Sequence, residues 1–184
     1  ALISKQFIEV MLKVPVILCP AQVQAMETGI KEYFPDFIKN SFPFFITGSM
    51  AESLQPGALY HITDFINLHF SLFLYDGGKQ VFIAGPYLPY PADTAFCEQT
   101  LQNNGKNLSL LVPFSQFCLN LPVVGNSQIT EVVRTAIRVV TGTDQEIPCL
   151  HYESQRHYTQ ESSGLSEEGV DEASIELLEH RYYY

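Results

Sequence analysis

The chain has 184 residues, 46% of them hydrophobic and 16% charged, and carries a net charge of −10. That length suits one domain with a sizeable core, and the composition excludes a disordered chain. An acidic segment does not track a phosphate backbone, so no nucleic acid is expected to bind here. No run of about 18 apolar residues exists to cross a membrane.

The charge is uneven. From Asp144 onward ten acidic residues face Arg156 and Arg181, a net of −8, against −2 in residues 1–143. The start at Ala1 without an initiator Met, and the end at Tyr182-Tyr183-Tyr184, read as a piece of a longer protein. Cys19, Cys97, Cys118 and Cys149 fit no zinc spacing and sit among apolar neighbours, so buried reduced thiols are expected. With no signal-peptide pattern, this points to the cytoplasm.

In chain order, residues 2–13 read as a helix with Ile3, Phe7, Val10, Met11 and Val14 on its apolar face. Val14 to Leu18 follows as a short buried strand. Val23, Met26, Ile30, Phe34 and Phe37 mark a second helix, and residues 42–47 are ambiguous. Leu59–Asp64, His69–Tyr75 and Gln80–Gly85 read as strands, the last two a hairpin closed by Asp76-Gly77-Gly78-Lys79. In that hairpin Phe70, Leu72 and Leu74 form a core face. His69, Ser71, Phe73 and Tyr75 form a mixed one, suited to lining a cavity or meeting a partner.

A helix runs from Asp93 to Asn104, and Pro113 opens another. Ser127 caps the strongest helix, with Ile129, Val132, Val133, Ala136, Ile137 and Val140 inward and Arg134 and Arg138 outward. Ile147–Tyr152 is a last strand. Residues 1–153 therefore form one domain, 154–169 an acidic linker, and 170–184 the start of a connecting helix. The mixture predicts an α+β domain, an antiparallel sheet of about five strands flanked by helices.

No nucleophile elbow, zinc-protease helix, phosphate loop or dinucleotide fingerprint is present, so no catalytic residue is assigned and no enzyme is expected. His61, Asp64 and His69 have the donor types for a divalent ion. Their strand-end positions favour ordinary hydrogen bonding, and Asp64 suits capping of its own turn, so no metal is assigned. His151 and His157 flank the acidic tail and are expected in solvent. Strand-end position nominates Tyr60, Asp64, His69 and Tyr87 as ligand-binding residues, with Phe73 as an apolar wall. Gly85-Pro86-Tyr87 would aim Tyr87 over the sheet.

The order of Tyr60-His61-Ile62-Thr63-Asp64, Ile83-Ala84-Gly85-Pro86-Tyr87-Leu88, Cys118-Leu119-Asn120-Leu121-Pro122-Val123-Val124 and Glu179-His180-Arg181-Tyr182-Tyr183-Tyr184 resembles the N-terminal sensor region of bacterial AraC-family transcriptional regulators of the Gram-positive type. The resemblance implies a GAF- or PAS-like domain that senses a small molecule of unknown identity, with the last segment in a helix leading to DNA-binding helices absent from this chain. It implies no catalytic residue and names no cofactor. The sensor of a histidine kinase is one alternative parent. A ligand-free dimerisation module, pairing as a homodimer through the mixed hairpin face and the terminal helix, is the competing class.

Overall fold

Strand β3 (His69–Tyr75) and strand β4 (Gln80–Tyr87) form the hairpin that the rest of the chain packs around. The computed structural model describes residues 2–142, 145–156 and 175–182. The sheet order is β1-β4-β3-β2-β5-β6, with β1 at Val16–Pro20, β2 at Leu59–Thr63, β5 at Cys149–Arg156 and β6 at Ile175–Tyr182. The α+β architecture and the central hairpin are as the sequence indicates. The sheet is mixed, however, because β2 and β5 run parallel, with His61 opposite His151. A parallel neighbour needs a long crossover. Here three helices supply it, α5 (Thr94–Asn103), α6 (Leu111–Leu119) and α7 (Asn126–Thr141).

Both faces of the sheet are buried over β2, β3 and β4. Leu72 is 0% exposed and packs with Phe70, Leu74, Tyr60, Ile62, Val81 and Ile83 in the larger core. That core is closed by α2 (Val23–Lys31), α3 (Asp36–Ser41) and α4 (Gly48–Ser53), with α5 and α6. The single helix expected over Val23–Phe37 is two, because Pro35 cannot continue α2 and sits instead at the N-terminus of α3. The opposite face carries Leu59, Phe73, Phe82, Ala84 and Tyr87, and α1 (Leu2–Leu12) and α7 cover it. The mixed hairpin face is thus a second core, not an open surface.

Two helices turn differently from the periodicity reading. Helix α1 buries Ser4, Ile8 and Leu12, spaced i, i+4, i+8, and leaves Phe7, Val10 and Met11 exposed. Apolar residues lie on two sides of this helix, so periodicity alone does not choose the inner one. On α7 the apolar stripe is as expected at Ile129, Val133, Ala136 and Ile137, but Val132 is only half-buried, Val140 is exposed, and Arg134 is buried at 5% exposure, not outward. It lies one turn after buried Thr130, on the edge of the stripe that faces the sheet.

The C-terminal segment is a strand over Ile175–Tyr182, not the start of a helix. Its apolar stripe is short, and an isolated short helix is marginal in water. Pairing with β5 over eight residues, from Arg156↔Ile175 to Cys149↔Tyr182, satisfies its backbone instead. Strand β5 itself runs on to Arg156, past the expected domain end at 153. The rest of the acidic linker and residues 170–174 lie outside the described residues.

Candidate functional site

The site starts from a bulge. Residue His69 pairs with Tyr87 and Ser71 with Ala84, so Gly85 and Pro86 together oppose Phe70. Strict alternation from Ala84 would send Tyr87 to the larger core. The extra residue returns it to the face of Ser71 and Ala84. Position 85 requires glycine: φ is +144°, and a Cβ there would lie 2.8 Å from the His69 carbonyl oxygen and 2.8 Å from Phe70 Cδ1.

On that face lies a chain of hydrogen bonds. The Thr130 hydroxyl donates to the Asn126 carbonyl one turn back, at 2.6 Å. Its oxygen therefore accepts from His61 Nε2–H, at 2.7 Å. That tautomer leaves His61 Nδ1 as an acceptor for the Ser71 hydroxyl at 3.0 Å. Ser71 Oγ in turn accepts from Tyr87 Oη at 3.1 Å, which also lies 3.3 Å from Nδ1. The links from Thr130 through His61 and Ser71 to Tyr87 are buried, so each would be costly to leave unpaired.

The cluster continues onto β5. The rings of His61 and His151 are 4.9 Å apart, centroid to centroid, and those of His69 and Tyr87 5.8 Å. Cys149 lies on the same face of β5 as His151, two residues earlier. Burial pushes His61 down to about 3, with His151, His69 and Arg134 adding to the effect. Burial, then His151, pushes His69 down to about 4. Both imidazoles are neutral at physiological pH. Burial pushes the Cys149 thiol up to about 11 although Arg134 pulls the other way. Burial also raises the Tyr87 phenol. One side-chain nitrogen of His61, one of His151 and the Cys149 sulfur all lie within 4.8 Å of one another, so these three can share an ion.

Beside this polar cluster, towards the β3–β4 turn, is an apolar crevice of ≈ 80 Å³. Ser4 and Ile8 of α1, Phe73 and Phe82 of the sheet, and Ala136 and Val140 of α7 line it. Helix α7 thus spans both places, with Thr130 and Arg134 over the cluster and Ala136 and Val140 over the crevice.

The five residues expected to bind a ligand do not form one site. Tyr60 faces the larger core, where its oxygen accepts from Gln55 N at 2.7 Å and its ring packs on Tyr152. Asp64 Oδ1 accepts from Ile66 N at 3.0 Å and Leu68 N at 2.8 Å, capping its own turn. Tyr87 and His69 belong to the polar cluster, and Phe73 to the crevice. The residues missed are Ser71, Thr130, Arg134, Cys149 and His151. His151, expected in solvent, is half-buried. Strand alternation already puts Cys149 and His151 on one face. Only the non-local parallel register brings them to His61.

Comparison with protein-family profiles, with curated proteins and with solved structures finds no match for this chain.

Proposed function

We propose that this chain is a small-molecule-sensing regulatory domain whose ligand enters the apolar crevice between α1, α7 and the outer ends of β3 and β4. The crevice itself supports this reading: a void at the seam of two helices and a sheet, walled by Ile8, Phe73, Phe82, Ala136 and Val140. At ≈ 80 Å³ it is smaller than the roughly 150 Å³ engineered cavity that holds benzene. Burying a larger ligand wholly requires α1 to move away from α7, and a ligand that binds the parted arrangement better shifts the population towards it. That is the property a sensor needs. In the AraC-type regulators that the sequence resembles, such a domain controls DNA-binding helices that follow it. A histidine kinase is the alternative parent.

Native mass spectrometry of protein purified from its own host, beside an Ala136→Phe variant that fills the crevice, tests the reading. A small molecule retained by the wild type and lost from the folded variant is expected. A molecule retained equally by both, or none in either and no ligand-induced change in amide exchange of α1 and α7, would sink it.

A dimerisation module is the second reading. Phe7, Val10 and Met11 form an exposed apolar face on α1, with Val10 76% exposed. Sedimentation of the wild type and of Val10→Glu distinguishes it: a dimer that this substitution converts to monomer favours this reading.

A further inference from the structure

We propose that His61, Cys149 and His151 form a binding site for one zinc-class divalent ion. The site goes beyond the crevice and does not depend on it. Two imidazole nitrogens and a sulfur are the donor set for borderline-soft metals, not for calcium or magnesium. Among the described residues this is the one group of three His, Cys, Asp or Glu side chains placed to share an ion, with all three ligand atoms within 4.8 Å of one another.

The geometry is close to what the ion needs. Bonds of about 2.0–2.1 Å to nitrogen and 2.3 Å to sulfur in a tetrahedron put donors about 3.3–3.6 Å apart. Donors within 4.8 Å reach that spacing by small side-chain rotations. Two adjacent parallel strands hold them: His61 pairs with His151, and Leu59 with Cys149, so all three side chains rise from one face of a covered sheet.

The surroundings complete the case. His61 has a hydroxyl partner at each ring nitrogen, Thr130 at 2.7 Å and Ser71 at 3.0 Å. Whichever nitrogen turns to the ion, the other keeps a hydrogen bond that orients the ring, as metal-bound histidines require. Cys149 binds as thiolate, so its S–H proton leaves to solvent as the S–metal bond forms. Arg134 faces the same cluster and favours that thiolate. Its positive charge opposes any divalent ion alike, so the selection for a soft ion comes from the sulfur and imidazole donors. Three protein ligands leave a fourth position open to water or a small anion.

Cobalt(II) titration of the full chain is the test, with zinc(II) then displacing the cobalt. One equivalent of cobalt should give a near-ultraviolet thiolate-to-cobalt band that zinc abolishes. Cys149→Ser should lose the band, and His151→Ala should weaken binding at least tenfold. Cys118→Ser should leave the band unchanged, because that thiol neighbours Cys97 in the other core. No band in the wild type, or a band kept by Cys149→Ser, would overturn the site. Circular dichroism checks that each variant folds. Should Cys149→Ser fail that check, wild-type affinity in folded His151→Ala would overturn the site just as well.

Discussion

The Nε2 atom of His61 lies 2.7 Å from the hydroxyl of Thr130, which ties the centre of the sheet to α7 and fixes the tautomer of a histidine only 4% exposed. Thr130→Val should strand a buried N–H and cost about 1–3 kcal/mol. With His61→Leu, a double-mutant cycle in chelator should give a coupling of about 0.5–3 kcal/mol by urea unfolding. Additivity within about 0.3 kcal/mol would mean that this bond contributes nothing to stability.

The bulge at Gly85 is what aims Tyr87 at Ser71. Gly85→Ala meets two obstacles, a φ of +144° and backbone oxygen 2.8 Å from the new Cβ. A loss of more than about 1 kcal/mol is expected in chemical denaturation. Gly57→Ala is the comparison, since φ there is +89° with nothing within 4 Å of the new Cβ. Equal losses at both positions would show that backbone conformation alone governs Gly85, and that β3 yields freely.

The hairpin was legible because its signals are local: alternation in β3 and a glycine turn. The inner side of α1 was not, since Phe7–Val10–Met11 and Ile8–Leu12 are equally apolar stripes and only the partner surface chooses between them. The cluster was half legible. His69 and Tyr87 announce themselves at strand ends, whereas His61, expected near a strand end, stands in the middle of β2. Thr130 and Arg134 look like ordinary polar positions on an amphipathic helix, and Cys149 and His151 reach His61 only through a pairing about 90 residues distant in sequence, joined by a crossover. Strand β6 failed for a related reason: its partner edge on β5, not its own stripe, determines its conformation.

Leu72 is wholly buried on β3, the hairpin strand between β4 and β2, with Ile83 beside it on β4 and Tyr60 on β2. Leu72→Asp places an unpaired carboxylate there, a change that costs several kcal/mol. The variant should not accumulate as soluble protein. Leu72→Met keeps volume and apolarity and should lose less than about 1.5 kcal/mol. Soluble, cooperatively unfolding Leu72→Asp would show that this position is not core.

Asp64 predicts how stability depends on pH. Its carboxyl is 5% exposed, and burial pushes it up to about 7, outweighing the two backbone N–H groups that favour the charged form. Both N–H groups bond to the same oxygen, Oδ1, which leaves Oδ2 to carry a proton. Between the ordinary aspartate range near 4 and about 7, the folded chain keeps a proton that the unfolded chain has released. Stability from this group is therefore full below that window, falls as pH rises through it, and is gone above about 7. Asp64→Asn keeps the Oδ1 acceptor and cannot titrate. Measured by urea unfolding from pH 4 to 8, the variant should gain on the wild type by on the order of a few kcal/mol, with the change complete near pH 7. A difference that stays constant across that range would show that Asp64 has the same proton affinity folded and unfolded. One that moves in the wild type's favour as pH rises would show that the backbone bonds hold a charged carboxylate.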